Sequence, residues 1–139
     1  MKILVAADGS KFSAKAVAYL AKHAGEFGAA DIHLFNAHRP LPGRAANYLG
    51  RKAVEDYYGE ECDKALAPAR NALKKAGFTF DETWKAGEPG DEIGSYATKH
   101  KFDLIIMGSH GHGLLGNLLL GSTATRVLAS CKVPVLVIR

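Results

Sequence analysis

Apolar residues recur along this chain in two rhythms, and their alternation predicts the architecture. Residues 2–7, 103–108 and 133–138 are short, nearly continuous apolar runs, as expected of parallel strands covered on both faces. Residues 31–37 (Asp-Ile-His-Leu-Phe-Asn-Ala) form another such strand, and residues 78–84 alternate enough to suggest a fifth with one wetter face, which belongs near a sheet edge. Helical spacing fills the intervals. After the Asp8-Gly9 turn, Ser10 can cap a helix in which Val17, Leu20, Ala24 and Phe27 recur until Gly28. Pro40, Pro42 and Gly43 cannot extend the second strand, so a loop of about ten residues is expected there. Residues 51–76 read as helix through Val54, Tyr57, Leu66 and Leu73, although Gly59 weakens it and Pro68 should kink or split it. Gly77 stops it. Gly87-Glu88-Pro89-Gly90-Asp91 opens a short helix whose buried side is marked by Ile93, Tyr96 or Ala97, and His100. A glycine-rich loop from 109 to 121 then leads into a helix over residues 122–131.

Strands thus alternate with helices, which predicts an α/β fold: one open, parallel, five-stranded sheet with helices on both faces, Rossmann-like in layout. The most apolar internal strands, the first and fourth, should lie in the middle, and right-handed crossovers then give the order 3-2-1-4-5. Winding direction reverses between those two strands, leaving a crevice beyond their carboxyl ends where ligands bind in open sheets. Asp8 and the loop after residue 108 converge there.

Composition narrows the class. At 139 residues, 47% apolar and 23% charged, the chain has the size of one domain and enough apolar content to bury a core. A formal charge of +4 tolerates an anionic partner but is too small to announce nucleic-acid binding. Cys62 and Cys131 form no C-x-x-C pattern, so neither a disulfide framework nor a zinc finger is supported and a reducing cytosol is the expected setting. No apolar run approaches the roughly 18 residues of a bilayer span, and a secretory leader is not expected, since Met1-Lys2 passes straight into the first strand.

The candidate chemistry lies in the glycine-rich loop. Gly108-Ser109-His110-Gly111 follows a strand directly, and Gly121-Ser122-Thr123 starts a helix. Phosphate needs several N–H donors at close approach without intervening side chains, which glycines before a positive helix end supply. Asp and Glu are absent after Asp103, whereas Arg126, Lys132, Arg139, His110 and His112 are present. Residues 111–116 match G-x-G-x-x-G, but the acid needed about 20 residues later to hold a ribose is missing. A Walker lysine is missing too, so a nucleotide would be held mainly by backbone and hydroxyls.

Gly108, Gly111, Gly121 and Ser122 fit the G-x2-G-x9-G-[S/T] signature without misfit, and here the chain resembles the universal stress proteins of ATP-binding type. The likeness runs from the opening strand ending in Asp8, through Gly87-Glu88-Pro89 and residues 103–111, to the closing 133–138 segment. It implies the 3-2-1-4-5 sheet, a homodimer paired through the last strand, and bound ATP, often with a divalent ion such as Mg or Mn. Carried over by position, it implies that Ala6, Ala7 and Asp8 border the adenosine and that Ala37 offers its backbone to the adenine edge. Met107 and Gly108 would line base and ribose, while Gly111, Gly121, Ser122 and Thr123 take the phosphates. Independently of the resemblance, His110 and His112 read as loop histidines facing phosphate. Asn36-Ala37-His38 departs from the His-Val pair common in relatives.

Other roles stay open beside these. Asp8 could cap the first helix or shape its turn, and Ser122 and Thr123 could serve as helix caps. His110 and His112 could form a metal pair but lack a third ligand nearby in sequence. Cys131, beside Val127 and Leu128, reads as core. An uncovered apolar edge strand at 133–138 invites pairing with a second copy. The functional expectation is a cytoplasmic, nucleotide-dependent stress-response sensor or regulator with at most slow ATP hydrolysis, since no base is placed to activate water. A nucleotide-independent dimeric module that recruits protein partners is the alternative, and an efficient ATPase ranks last.

Overall fold

The computed structural model describes residues 1–113, 117 and 119–139. Along the chain run β1 (Lys2–Ala6), α1 (Lys11–Lys22), α2 (Ala24–Phe27), β2 (Asp31–His38), α3 (Gly43–Leu49) and α4 (Arg51–Lys75), then β3 (Phe80–Ala86), α5 (Pro89–Lys99), β4 (Leu104–Gly108), α6 (Ser122–Ser130) and β5 (Val135–Ile138). The strands form one sheet in the order β3-β2-β1-β4-β5, every neighbouring pair parallel. The expected order and the central position of β1 and β4 are both found. Among the described residues no helix is long and apolar enough to cross a membrane.

Alternation along the central strands builds two cores. Ile3, Val5 and Ala7 face one side with Ile32, Leu34 and Ile106, where α1 packs Val17 and Leu20 and α4 packs Leu66, Ala69 and Leu73. Leu4 and Ala6 face the other with Phe35, Ile105 and Met107, against Ile93 and Ala97 of α5 and Ala124 and Val127 of α6. Ile3, Leu4 and Val5 are each 0% exposed, and full burial of such side chains contributes about 1.5–3 kcal/mol apiece. A run apolar on both sides is therefore the mark of a central strand.

Several boundaries differ from the sequence expectation, each for a local reason. The first helix stops at Lys22 because the His23 amide is shared between the Tyr19 and Leu20 carbonyls and its Nδ1 lies 2.8 Å from the Tyr19 carbonyl, so a separate turn, α2, follows. Residues 43–49, expected as loop, form α3, whose lack of any buried residue removed the periodic signal. Helix α4 continues through Pro68. Pro68 and Lys64 are both exposed, so the carbonyl that the proline leaves unpaired lies on the wet face, while Cys62, Leu66, Ala69 and Leu73 hold the other face to the core. Gly77 (φ 83) ends α4 with the Phe78 amide on the Leu73 carbonyl and its own on the Lys74 carbonyl. That closure buries Phe78 and delays β3 to Phe80. Strand β3 lies at the edge as expected, and β5 begins after Pro134 rather than at residue 133. His100 is exposed rather than on the buried side of α5, and Leu128 beside Cys131 is 47% exposed, while Cys131 itself is half-buried and packs against the second core.

Candidate functional site

The carboxyl ends of β1, β2 and β4 open into a cleft of about 670 Å³. An inner hollow of about 90 Å³ adjoins it, walled by Ala6, Phe35, Ile93 and Met107. Of the residues expected at the site, Ser122 lines only the outer cleft, and Ala6, Ala7, Met107 and Gly108 line only the inner hollow. Asp8, Ala37, His110, Gly111, Gly121 and Thr123 line both. Topology brings them together: β1 delivers Asp8, β2 delivers Ala37, and the chain leaving β4 delivers His110 and Gly111. Leu114, Leu115, Gly116 and Leu118, which belong to the expected glycine-rich loop, lie outside the described residues.

Close approach of other groups bears on two of the loop glycines, main chain at one and a carboxylate at the other. At Gly121 a Cβ would stand 3.0 Å from the Cα of His110 and 3.2 Å from the Ser109 carbonyl oxygen, and the Gly121 amide donates to that oxygen at 2.7 Å. At Gly111 a Cβ would meet Asp8 Oδ2 at 2.9 Å. Gly121 is also the N-cap of α6 and supplies no side-chain cap, so the first-turn N–H groups are not masked by an acceptor of their own helix cap. A cap by Ser122 or Thr123 is thereby excluded, since both stand inside the helix. Gly108 has another reason: its Cβ would fall 2.6 Å from the backbone of Phe12, so this glycine lets α1 lie across the end of β4.

Asp8 does two things. Its Oδ1 accepts the Ser10 amide at 2.9 Å, shaping the turn into α1, while Ser10 itself caps that helix by accepting the Ser13 amide. Its other oxygen faces Gly111, and its carbonyl lies 2.7 Å from His112 Nε2. A carboxylate thus borders the glycine loop, as the expected convergence of Asp8 with that loop requires, although the sequence after Asp103 is itself free of acids. Arg126 corrects the same charge reading. Its Nε and Nη2 donate to both Asp91 oxygens at 2.6 and 2.8 Å, holding the Asp91 carboxyl below its ordinary range, and it does not line the cleft. His110 Nδ1 lies 2.9 Å from Ser109 Oγ, with its ring 5.0 Å from that of Phe12. Among the described residues no group of three or more His, Cys, Asp or Glu comes together as a metal site.

The far rim was not foreseen. Arg39 pairs with Glu88 at 3.2 Å and Lys64 with Glu61 at 3.0 Å, and α4 approaches closely enough that a Cβ on Gly9 (φ 78) would lie 3.3 Å from Ala65. Asn36, noticed in sequence only as a departure, is 3% exposed and lines both hollows. Its Nδ2 donates to the Ala7 carbonyl at 2.7 Å, and its Oδ1 is buried without a partner. An amide in an otherwise apolar row was the available signal.

Together these features can hold an anion on main-chain amides at one end and a flat apolar group at the other. The family model described as the universal stress protein family matches residues 1–139. A universal stress protein of Thermus aquaticus, encoded 3′ of a sulfhydrylase, is 32% identical over 138 residues, covering 99% of this chain and 97% of that protein. Among solved structures, MJ0577 of Methanocaldococcus jannaschii superposes with a TM-score of 0.76 at 28% identity, covering 99% and 94% of the two chains. A universal stress protein in complex with cAMP superposes at 0.72 with 26% identity, covering 100% and 97%. On this match over its whole length, the chain belongs to the universal stress protein family.

Proposed function

We infer that this chain binds an adenine nucleotide in the cleft, ATP in the form that uses all of it, and acts as a nucleotide-dependent regulator in a stress response. The observation that carries the reading is the cradle at Gly111 and Gly121, where a side chain would collide with main chain or Asp8 and α6 opens without a side-chain cap. Such a surface suits a phosphate or similar oxyanion. The solved family member in complex with cAMP supports the choice of adenine nucleotide. In this reading Ala6, Ala7, Asp8, Ala37, Met107 and Gly108 surround base and sugar. His110, Gly111, Gly121, Ser122 and Thr123 receive the phosphates, and a Mg or Mn ion accompanies them, bound chiefly through phosphate oxygens and water. Hydrolysis is slow at most, and the protein works in the cytoplasm.

Nucleotide-stripped protein titrated calorimetrically with ATP and AMP, with and without Mg²⁺, tests this. Saturable binding of one nucleotide per chain is expected, and no uptake at millimolar nucleotide overturns it. A second reading is favoured by β5, whose four residues are all half-buried along an open sheet edge: a dimer built through 133–138 that recruits protein partners without nucleotide.

A further inference from the structure

All five strands run in one direction, so strand starts and helix ends gather at the end of the sheet opposite the cleft. Lys22 lies in the last turn of α1, Lys74 and Lys75 in that of α4 and Lys99 in that of α5, while Lys101 and Lys132 stand in the turns leading into β4 and β5. All six are exposed, and none is held in an ion pair among the described residues, whereas Arg39, Arg51, Lys64, Arg70 and Arg126 are. Lys2 adds a seventh lysine, its ammonium on the His100 carbonyl and over the Phe102 ring. Against these stand four acids, Glu26, Asp31, Asp81 and Asp103, so three of the chain's four net positive charges lie at this end. A lysine in a last turn complements the helix dipole and has that reason to be there. Lys101 has no such reason. Its φ is 56, in the left-handed region that Gly77 occupies at the matching position after α4, and a side chain there costs stability that glycine would spare.

We propose that this lysine-bearing end docks on an anionic lipid surface, with the cleft facing away from it. The charge is spread in two dimensions: α1 and α4 pack on one side of the sheet and α5 and α6 on the other, and five strands span about 20 Å between them. A plane of headgroups meets such a disc, whereas a nucleic acid is followed by a stripe or groove. No arginine stands among these lysines to grip a phosphate with two bonds or read a base edge. No exposed aromatic ring offers base stacking there either, since Phe27 is half-buried and Phe78 and Phe102 are buried. Ammonium point charges held at one level suit headgroup phosphate and carboxylate. Docked in this way, the protein leaves the cleft open to solvent and the β5 edge free at its side. The inference does not depend on the nucleotide reading.

Co-sedimentation with vesicles of phosphatidylcholine and phosphatidylserine, mixed about two to one, tests this at low salt. Wild type should pellet with them and not with phosphatidylcholine alone, and raising the salt toward about 0.5 M should release it. Lys74→Gln with Lys75→Gln, and separately Lys99→Gln with Lys101→Gln, should each lower the partition about tenfold or more. Lys52→Gln with Lys85→Gln removes the same charge from the cleft end of the sheet and should leave the partition within about threefold of wild type. Lys101→Gly should weaken binding while its Tm is held or raised, which separates a charge kept for a partner from one kept for the fold. Wild type that stays in the supernatant with phosphatidylserine present overturns the proposal, as does an equal loss from the Lys52 and Lys85 pair, which would make net charge alone responsible. A short DNA duplex that displaces the protein from vesicles at equal phosphate concentration, with the same dependence on these lysines, overturns the choice of lipid.

Discussion

Three glycines at one end of the sheet should respond to the same substitution in three different ways. At Gly113 a Cβ meets nothing within 4 Å, so Gly113→Ala should leave stability within about 0.5 kcal/mol and nucleotide affinity unchanged. At Gly121 the backbone (φ −73, ψ 167) is extended and open to any residue, so no conformational strain arises. The added carbon must instead push His110 and the Ser109 carbonyl away by a few tenths of an ångström. Overpacking of that size costs about 1 kcal/mol, or roughly 2–4 °C in Tm. The same shift moves the amides that would hold phosphate. Losing one hydrogen bond to a charged group, about 1.5–3 kcal/mol, lowers affinity by a factor of about ten to a hundred. At Gly108 the carbon would stand 2.6 and 2.7 Å from the Phe12 carbonyl group, which cannot move without α1, so Gly108→Ala should cost about 3 kcal/mol or more in stability. Thermal melts with and without ATP, joined to calorimetric titration, separate the three, because a ligand at a hundred times its Kd adds about 2.7 kcal/mol. Folded Gly121→Ala that binds ATP as wild type does, or Gly113→Ala that loses binding equally, would refute the cradle.

Cys62 is 1% exposed and burial pushes its thiol up to about 11, so at pH 8 a disulfide reagent should label half-buried Cys131 first and Cys62 only on unfolding; equal rates in the native protein contradict this. His33, beside Tyr96 and Thr83, has its pKa lowered from 6.5 chiefly by burial. The unfolded chain therefore binds the proton first as pH falls below about 6.5, and stability should drop between pH 7.5 and 5.5 in urea titrations, less so in His33→Gln. Stability that rises on acidification, or an unchanged slope in the variant, contradicts that cause. Pro134 and Ile138 carbonyls accept from β4, so by the two-residue period the amides of Val135 and Val137 face outward. Val137→Pro should then abolish β5 pairing between copies while preserving the monomer fold, as sedimentation would report; wild type monomeric at micromolar concentration removes the dimer.

What was legible in the sequence follows from where each determinant acts. A central strand needs apolar residues on both faces within a few positions, and residues 2–7 and 103–108 display that requirement directly, hence the correct sheet order. Glycine spacing at 108, 111 and 121 was legible for a similar reason, since close approach, of main chain at 108 and 121 and of the Asp8 carboxylate at 111, leaves a mark at each position. Helix α3 was invisible because it buries nothing, and the break at His23 because a side-chain contact one turn back decides it. Charges were the least legible. Arg126 counts toward the basic balance after Asp103 until Asp91, 35 residues earlier, is found holding it. Arg39 and Lys64 reach the cleft rim only because β2 and α4 bring them there.

Asp8 carries this distinction into function. Sequence left Asp8 two roles, turn residue or ligand wall, and a carboxylate has two oxygens: one takes the Ser10 amide while the other faces Gly111. The half engaged within the fold orients the half that remains, so the structural role is the means by which a binding role is preorganised. Removing the side chain should therefore affect the end of β1 together with the cleft, and stability must be measured beside affinity before a loss of binding is assigned to ligand contact. Conservative exchanges that spare the fold-facing half are the more informative. Asp8→Asn keeps the oxygen needed by Ser10 and removes the charge beside Gly111; if it leaves both ATP and AMP affinity unchanged, Asp8 belongs to the turn alone.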